Sequence, residues 1–435
     1  MTLDKNIIKN IAWMIFDKIF ILILEFLVGI KVANFYGSFF YGSYSFAVSI
    51  SIFSAIFFEL INSRIIKKYY NKKNYYLIIF NVTFFKRSVA IFLFIIIFIV
   101  GNIIQLERSL YIFLLLLFLD NILATSTVGI ENYFEFKLQS KKIVVSNNIV
   151  KLVSYTLQYI GMILNYPIII VPIIRCIGSL VRVFILKNIY KKNYYQGKKG
   201  KIIQKLIYNM IKKSFYLWLS FISFIIYTQL DKIMLGVLLG KKQVGIYTLG
   251  IQLINVLSTL IIPIQVSLFP KMLELYKKNY NEYLEFYLNC NILITQIYIF
   301  LILFSIPIVK IIFPYVFISE YSKAVSIYNI LIIAVLMKVN GALQSSHMTL
   351  KDITKKSFYK TTVGLLLNGI LNYILIKKQG IIGAAIATTI TQIFTVFIMD
   401  FFIKEYKEQA KIQLKSFNPF YLVNLIKVFK WRYKK

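Results

Sequence analysis

Residues 77–100 read LIIFNVTFFKRSVAIFLFIIIFIV, and the last ten of them carry no polar side chain. A membrane strand would alternate apolar and polar residues, because one of its faces meets lipid and the other does not. An unbroken run of this length instead fits a helix crossing roughly 30 Å of hydrocarbon, with every backbone group bonded inside its own segment. Working outward from it, further apolar runs occupy residues 11–32, 42–60, 110–127, 143–164, 167–186, 214–235, 244–268, 287–312, 324–346, 359–375 and 381–402. The expected fold is therefore an all-α polytopic membrane protein with about twelve transmembrane helices. The chain has 59% apolar and 17% aromatic residues and a mean hydropathy of +0.71, which a bilayer can solvate and water cannot.

A net charge of +34 invites a nucleic-acid reading, but the placement of the cations argues against it. Of 51 Lys and Arg residues, 34 fall in the termini and alternate connectors, 6 in the connectors of the other side, and 11 inside the runs. Short basic segments separated by hydrocarbon-length runs form no groove for a phosphate backbone, so no nucleic-acid partner is expected. The asymmetry is that of the positive-inside rule, and it sets both termini in the cytoplasm of a bacterial cell, with the chain in the cytoplasmic (inner) membrane. The first run has no small-residue cleavage site after it and is expected to stay as a span. Cys176 and Cys290, both within apolar runs, allow no disulfide framework or Cys-based zinc site.

The longest internal connector divides the chain into a six-helix lobe at 1–190, a basic linker at 191–213, a second six-helix lobe at 214–403 and a basic tail at 404–435. Within the linker, Ile202, Ile203, Leu206, Ile207, Met210 and Ile211 recur at helical spacing, with Lys201, Gln204, Lys205 and Lys212 elsewhere on the wheel. In the tail, Leu422, Leu425, Ile426, Phe429 and Tyr433 oppose Asn424, Lys427 and Lys434. Both read as amphipathic helices lying in the membrane surface, with anionic lipids as partners. Two lobes of six spans would be a parallel repeat. Tyr41-Gly42-Ser43-Tyr44 opens the second span, and Val244-Gly245-Ile246-Tyr247 opens the eighth, the matching place.

No Gly-rich phosphate loop or nucleotide-binding module is present, and His347 is the single histidine. No catalytic residue, metal or cofactor is expected, and His347 reads as a membrane-interface residue. The informative groups are ionisable residues inside the runs, which are costly in lipid and imply a protein interior or hydrated cavity. Lys18, Glu25, Lys151 and Arg175 lie nearest mid-span and are read as cavity-lining. Lys31, Glu59, Arg182, Lys310 and Lys360 lie closer to span ends, where snorkelling to the interface accounts for them as well. Cations outnumber acids, and few acids are near Lys151 and Arg175 in sequence. Two lobes around a hydrated cationic central cavity would hold an anionic cargo, because a planar guanidinium bonds phosphate or carboxylate bidentately.

Several motifs resemble those of polysaccharide-repeat-unit flippases, of the superfamily that also holds multidrug extruders and lipid II flippases. They are Gln229-Leu230-Asp231-Lys232-Ile233-Met234-Leu235-Gly236 with Val244-Gly245-Ile246-Tyr247, and Tyr36-Gly37 with Tyr41-Gly42-Ser43-Tyr44. Asn368 and Asn372 before Gly380-Ile381-Ile382-Gly383-Ala384-Ala385-Ile386-Ala387-Thr388, and Pro263 and Pro270, complete the likeness. The resemblance implies two six-helix lobes working by alternating access, on an oligosaccharide carried by a polyprenyl diphosphate. It also implies a functional role for Asp231, beside Lys232, and a partnership with polysaccharide polymerase machinery. A multidrug extruder should show an acidic cavity and a lipid II flippase two further spans. A membrane-embedded polymerase or ligase would want larger outward connectors than the roughly ten-residue ones here. These three remain as alternatives.

Overall fold

The computed structural model describes residues 5–70, 74–194, 197, 198, 200–351 and 353–421. The amphipathic face expected from Leu422 onward lies outside the described residues. Among the described residues all regular structure is helical, and the chain forms two compact units, residues 2–245 and 246–435.

The first unit contains α1 (Lys5–Ile52), α2 (Ser54–Phe58), α3 (Ser63–Tyr69), α4 (Tyr75–Ile103), α5 (Arg108–Thr125), α6 (Val128–Phe136), α7 (Ser140–Ile163), α8 (Ile170–Tyr194) and α9 (Gln204–Leu238). Helix α1 holds the first two predicted spans. Gly37, at φ 76° and ψ 172°, breaks its helical geometry between them, in a left-handed conformation that a side chain would strain. The next turns manage without glycine: Gln105, Leu138 and Asn165 take φ of 53–56°. After each one, the following N–H closes back on a carbonyl of the last turn, as Tyr166 does on Gly161 at 2.9 Å.

The second unit is built from α10 (Lys241–Thr259), which straddles the boundary, α11 (Ile261–Lys278), α12 (Tyr280–Val316), α13 (Lys323–Leu350), α14 (Thr354–Gln379), α15 (Ile381–Ile393), α16 (Met399–Phe402) and α17 (Lys407–Phe417). All twelve predicted spans thus fall on helix. Among the described residues, seven helical segments are long and apolar enough to cross a membrane by length and composition alone. Helices α7, α8, α10, α11 and α14 fall short because they carry polar side chains, several of them partnered inside the protein.

At the end of the first unit that bears its basic connectors, Ile61, Ile66, Tyr70, Tyr75, Ile78, Val82, Tyr133, Phe134 and Leu186 form a buried cluster. The Tyr75 and Tyr133 rings stack at 4.8 Å, and the Tyr70 hydroxyl donates to the Gly129 carbonyl at 2.7 Å, so ring burial strands no polar group. Met210 is fully buried in this cluster, with Leu206, Ile207 and Ile211 packed against it. Therefore, although Ile202 stays exposed, most of the apolar face expected to lie on lipid is covered by protein. Its helix runs without a break into the seventh span as the 35-residue α9. By packing, α9 belongs to the first unit, whereas the connector placed the lobe boundary at 213/214. The physical reason is close helix approach, since a Cβ on Gly236 would collide with the Phe46 ring.

In the second unit, His347 is fully buried, with its ring parallel to those of Tyr287 and Tyr283 at 4.6 and 5.7 Å and Nδ1 bonded to the Tyr283 hydroxyl. It is a packing element of the core and not an interface residue. Lys360 is likewise buried: its Nζ meets the Asp400 carboxylate and lies 4.3 Å above the Tyr406 ring. Burial against an acid two helices on replaces the snorkelling alternative for this residue.

Candidate functional site

Four helices of the first unit bring together a polar network that apolar periodicity alone would not place. Arg175, on α8, donates from Nε to Asp120 Oδ2 of α5 at 2.7 Å, and Ser179, one turn further along α8, donates to the other carboxylate oxygen. The Asp120 side chain is about 5% exposed and that of Arg175 about 45%, so a buried carboxylate aims a half-open guanidinium. Tyr44, on α1 beyond the Gly37 break, hydrogen-bonds to the same arginine. One turn away on α7, Lys151 Nζ lies 3.2 Å from Glu25 Oε1 of α1, and Tyr155 also bonds Glu25. Both members of the Glu25–Lys151 pair are about half exposed, so the pair is worth little as a staple and stays accessible to solute.

Two of the expected cavity residues are thus brought together, Glu25 with Lys151, and Arg175 joins them through Tyr44 and Tyr155. The side chain of Lys18 lies outside the described residues. Asp231 is about 7% exposed and Lys232 partly buried, both on α9. Asp120 lies within the 110–127 run with no sequence signal for its partner, Tyr44 stands out only as part of Tyr41-Gly42-Ser43-Tyr44, and Tyr155 carries no signal at all. The scarcity of acids near the cations was a scarcity along the chain and not in space. The same holds deeper in the unit, where Arg182 meets Glu131 Oε2 at 2.8 Å and Asn147 at 2.7 Å, and Lys86 lies 3.6 Å from Glu59. Lys86, Lys151, Arg175 and Arg182 thus each face a carboxylate. What the network offers a ligand is directional donors, not a bare excess of cations.

The motif glycines have a packing role beside it. A Cβ on Gly42 would fall 2.8 Å from the Gly245 nitrogen, and one on Gly245 would fall 3.0 Å from the Gly42 nitrogen, so the chain passes backbone to backbone at these two glycines. Glu107 and Lys241 form an ion pair in the same unit. Of the glycines at 236, 240 and 245, only Gly240, at φ 86° with open space around it, is a turn that needs glycine's conformational range.

Residues 7–276 match the family described as polysaccharide biosynthesis protein. An uncharacterized membrane protein of Methanocaldococcus jannaschii is 28% identical over 263 residues, 59% of this chain and 46% of that protein, so the match spans about half of the relative's length. Among solved structures, a lipid II flippase in an inward closed conformation is similar over 96% of this chain and 93% of its own, with a TM-score of 0.71 and 21% identity. A multidrug resistance MATE family transporter of the MOP superfamily, in an inward-facing conformation, is similar over 93% and 95% respectively, with a TM-score of 0.63 and 13% identity. At such identities the likeness is one of fold.

Proposed function

The chain belongs to the polysaccharide biosynthesis protein family, and from that premise we propose that it is a flippase for an oligosaccharide linked to a polyprenyl diphosphate. It carries the cargo across the bacterial cytoplasmic membrane by alternating access, for surface polysaccharide assembly, with its basic connectors and both termini in the cytoplasm. The observation that carries this reading is the Asp120-held guanidinium of Arg175, half exposed within the span region beside Lys151, Glu25 and two tyrosines. A diphosphate and many sugar hydroxyls cannot enter hydrocarbon bare, because each desolvated polar group costs roughly 2–7 kcal/mol. Oriented N–H and O–H groups at mid-depth replace that lost hydration. Cations paired with acids and flanked by tyrosine hydroxyls suit a cargo that is anionic at one end and neutral but hydroxyl-rich over the rest. Asp231 and Lys232 are proposed to act in the same cycle, and the polymerase that uses the translocated unit is the proposed partner.

A second reading, translocation of a lipid II type of cargo, is favoured by the breadth of the fold likeness to a lipid II flippase. Both cargoes share a lipid-linked diphosphate and differ in the sugar. The test is a deletion strain in which lipid-linked intermediates are extracted and sized. Accumulation of a repeat-unit oligosaccharide on the lipid, with cell-wall precursors at normal levels, supports the repeat-unit cargo. Accumulation of cell-wall precursors alone supports the second reading, and accumulation of neither refutes the flippase assignment.

A further inference from the structure

Lys86, Lys151, Arg175 and Arg182 each face an acid, whereas a group of four exposed cations in the first unit does not. A cavity of about 750 Å³ opens between α4, α8 and the connector ahead of α9. Arg87, Lys187, Lys191 and Lys198 all line it, and among the described residues none of the four is in an ion pair. Four like charges around one cavity repel one another, and an anion seated among them relieves that repulsion. Yet much of the remaining lining is aromatic and aliphatic, which a small hydrated anion does not need.

The cavity's position says what kind of anion fits. It lies next to the tyrosine-rich cluster at the basic end, where α4 leaves the protein core and enters its apolar run. Beyond it, Phe84, Ile91, Ile95 and Phe98 follow one another at helical spacing along α4, all exposed. An apolar track therefore leads from the cationic pocket toward the hydrocarbon. The connector forms the roof. Buried Asn81 holds it with both ends of its amide, donating to the Lys201 carbonyl at 2.9 Å and accepting from the Ile203 N–H at 2.7 Å. Lys198 lies 5.5 Å over the Tyr76 ring, and Gly200 packs on Phe80.

We propose that this cavity is a binding site for one anionic glycerophospholipid of the leaflet at the basic end, its phosphate among Arg87, Lys187, Lys191 and Lys198 and an acyl chain along Phe84 and Ile91. The bound lipid is not cargo. It fills the angle between the third and sixth spans beneath the segment that leads into the seventh, and so stabilises that segment in its clamped position.

The test is native mass spectrometry of the purified full chain with phosphatidylglycerol, phosphatidylcholine or inorganic phosphate as the added probe. One phosphatidylglycerol should stay bound under conditions that strip phosphatidylcholine. Arg87→Gln/Lys187→Gln/Lys191→Gln should weaken that binding on the order of a hundredfold, at about 1 kcal/mol per cation at a membrane surface. The charge-matched control Lys404→Gln/Lys407→Gln/Lys411→Gln, on exposed residues of the second unit, should stay within about twofold of wild type. Ser88→Trp, which keeps every charge and obstructs the lining, should also lose the lipid; it decides the matter if the triple variant does not fold. Equal losses in the two triple variants, retention in both Arg87→Gln/Lys187→Gln/Lys191→Gln and Ser88→Trp, or complete displacement of the lipid by millimolar inorganic phosphate would each overturn the proposal.

Discussion

Replacing Asp400 by Asn removes one charge from a place where only protein can compensate for it. The Asp400 side chain is fully buried, its oxygens take up the Lys360 ammonium and the Gln344 amide, and the Lys360 side chain is about 8% exposed. Water cannot enter to solvate the lysine left behind. Breaking a buried pair from one side costs about 3–5 kcal/mol, whereas exchanging both partners for apolar groups of similar volume is close to neutral. The Tyr406 ring 4.3 Å from the ammonium returns only part of that loss, about 0.5–2 kcal/mol for a cation over a ring. For a unit of this size each kcal/mol moves the midpoint by about 2–4 °C, so Asp400→Asn and Lys360→Met should each melt about 10 °C below wild type. The double variant Lys360→Met/Asp400→Leu should recover most of the difference. The assay is the thermal loss of the monodisperse peak of detergent-solubilised protein, repeated at high salt, which should change little because the pair is screened from solvent. Single variants within 2 °C of wild type, or a double variant no better than either single, would refute the buried-pair reasoning.

Other expectations follow from the same kind of contact. Gly42→Val should deplete folded protein in the membrane, because its Cβ meets the Gly245 backbone at 2.8 Å and backbone cannot step aside; normal abundance would contradict that crossing. Asn81→Ala should speed limited proteolysis within the connector at 198–201, since a Lys201 carbonyl and an Ile203 N–H lose their partner; an unchanged cleavage rate would show that the roof is held by other means. Asp231→Ala should abolish surface polysaccharide at near wild-type protein abundance, and normal polysaccharide would reduce the residue to an incidental role. Topology reporters after Gly200 and near Gln105 should give opposite sides of the membrane; the same side for both would break the span assignment.

The helices were legible because each apolar run is a local property of the chain, and the breaks between them carry turn residues such as Asn165 before Pro167. Partners were not legible. Arg175 and Asp120 are 55 residues apart, Lys151 and Glu25 are 126 apart, and Lys360 and Asp400 are 40 apart. A sequence shows that a span carries a charge but not which face of which neighbour receives it. The mid-span cations Lys151 and Arg175 therefore prove to be paired, and the unpaired group lies elsewhere, around Arg87 and Lys187. The face of Leu206, Ile207 and Met210 teaches the same lesson. Helical spacing gave its amphipathicity correctly, but nothing local says whether lipid or Tyr70 and Tyr75 will cover it. His347, alone in composition, needed two tyrosine rings from α12 to explain it.

The proposed transport chemistry is tested most directly by Arg175 in reconstituted vesicles. Purified protein in liposomes is supplied with lipid-linked oligosaccharide on one leaflet, and its arrival on the other is followed with a membrane-impermeant glycosidase or lectin. The charge of a guanidinium held by Asp120 should matter more than its bulk. Arg175→Lys should retain partial transport and Arg175→Gln should lose most of it, with both variants folded and equally reconstituted. Equal transport by the Lys and Gln variants would contradict a role for Arg175 in holding the anionic cargo.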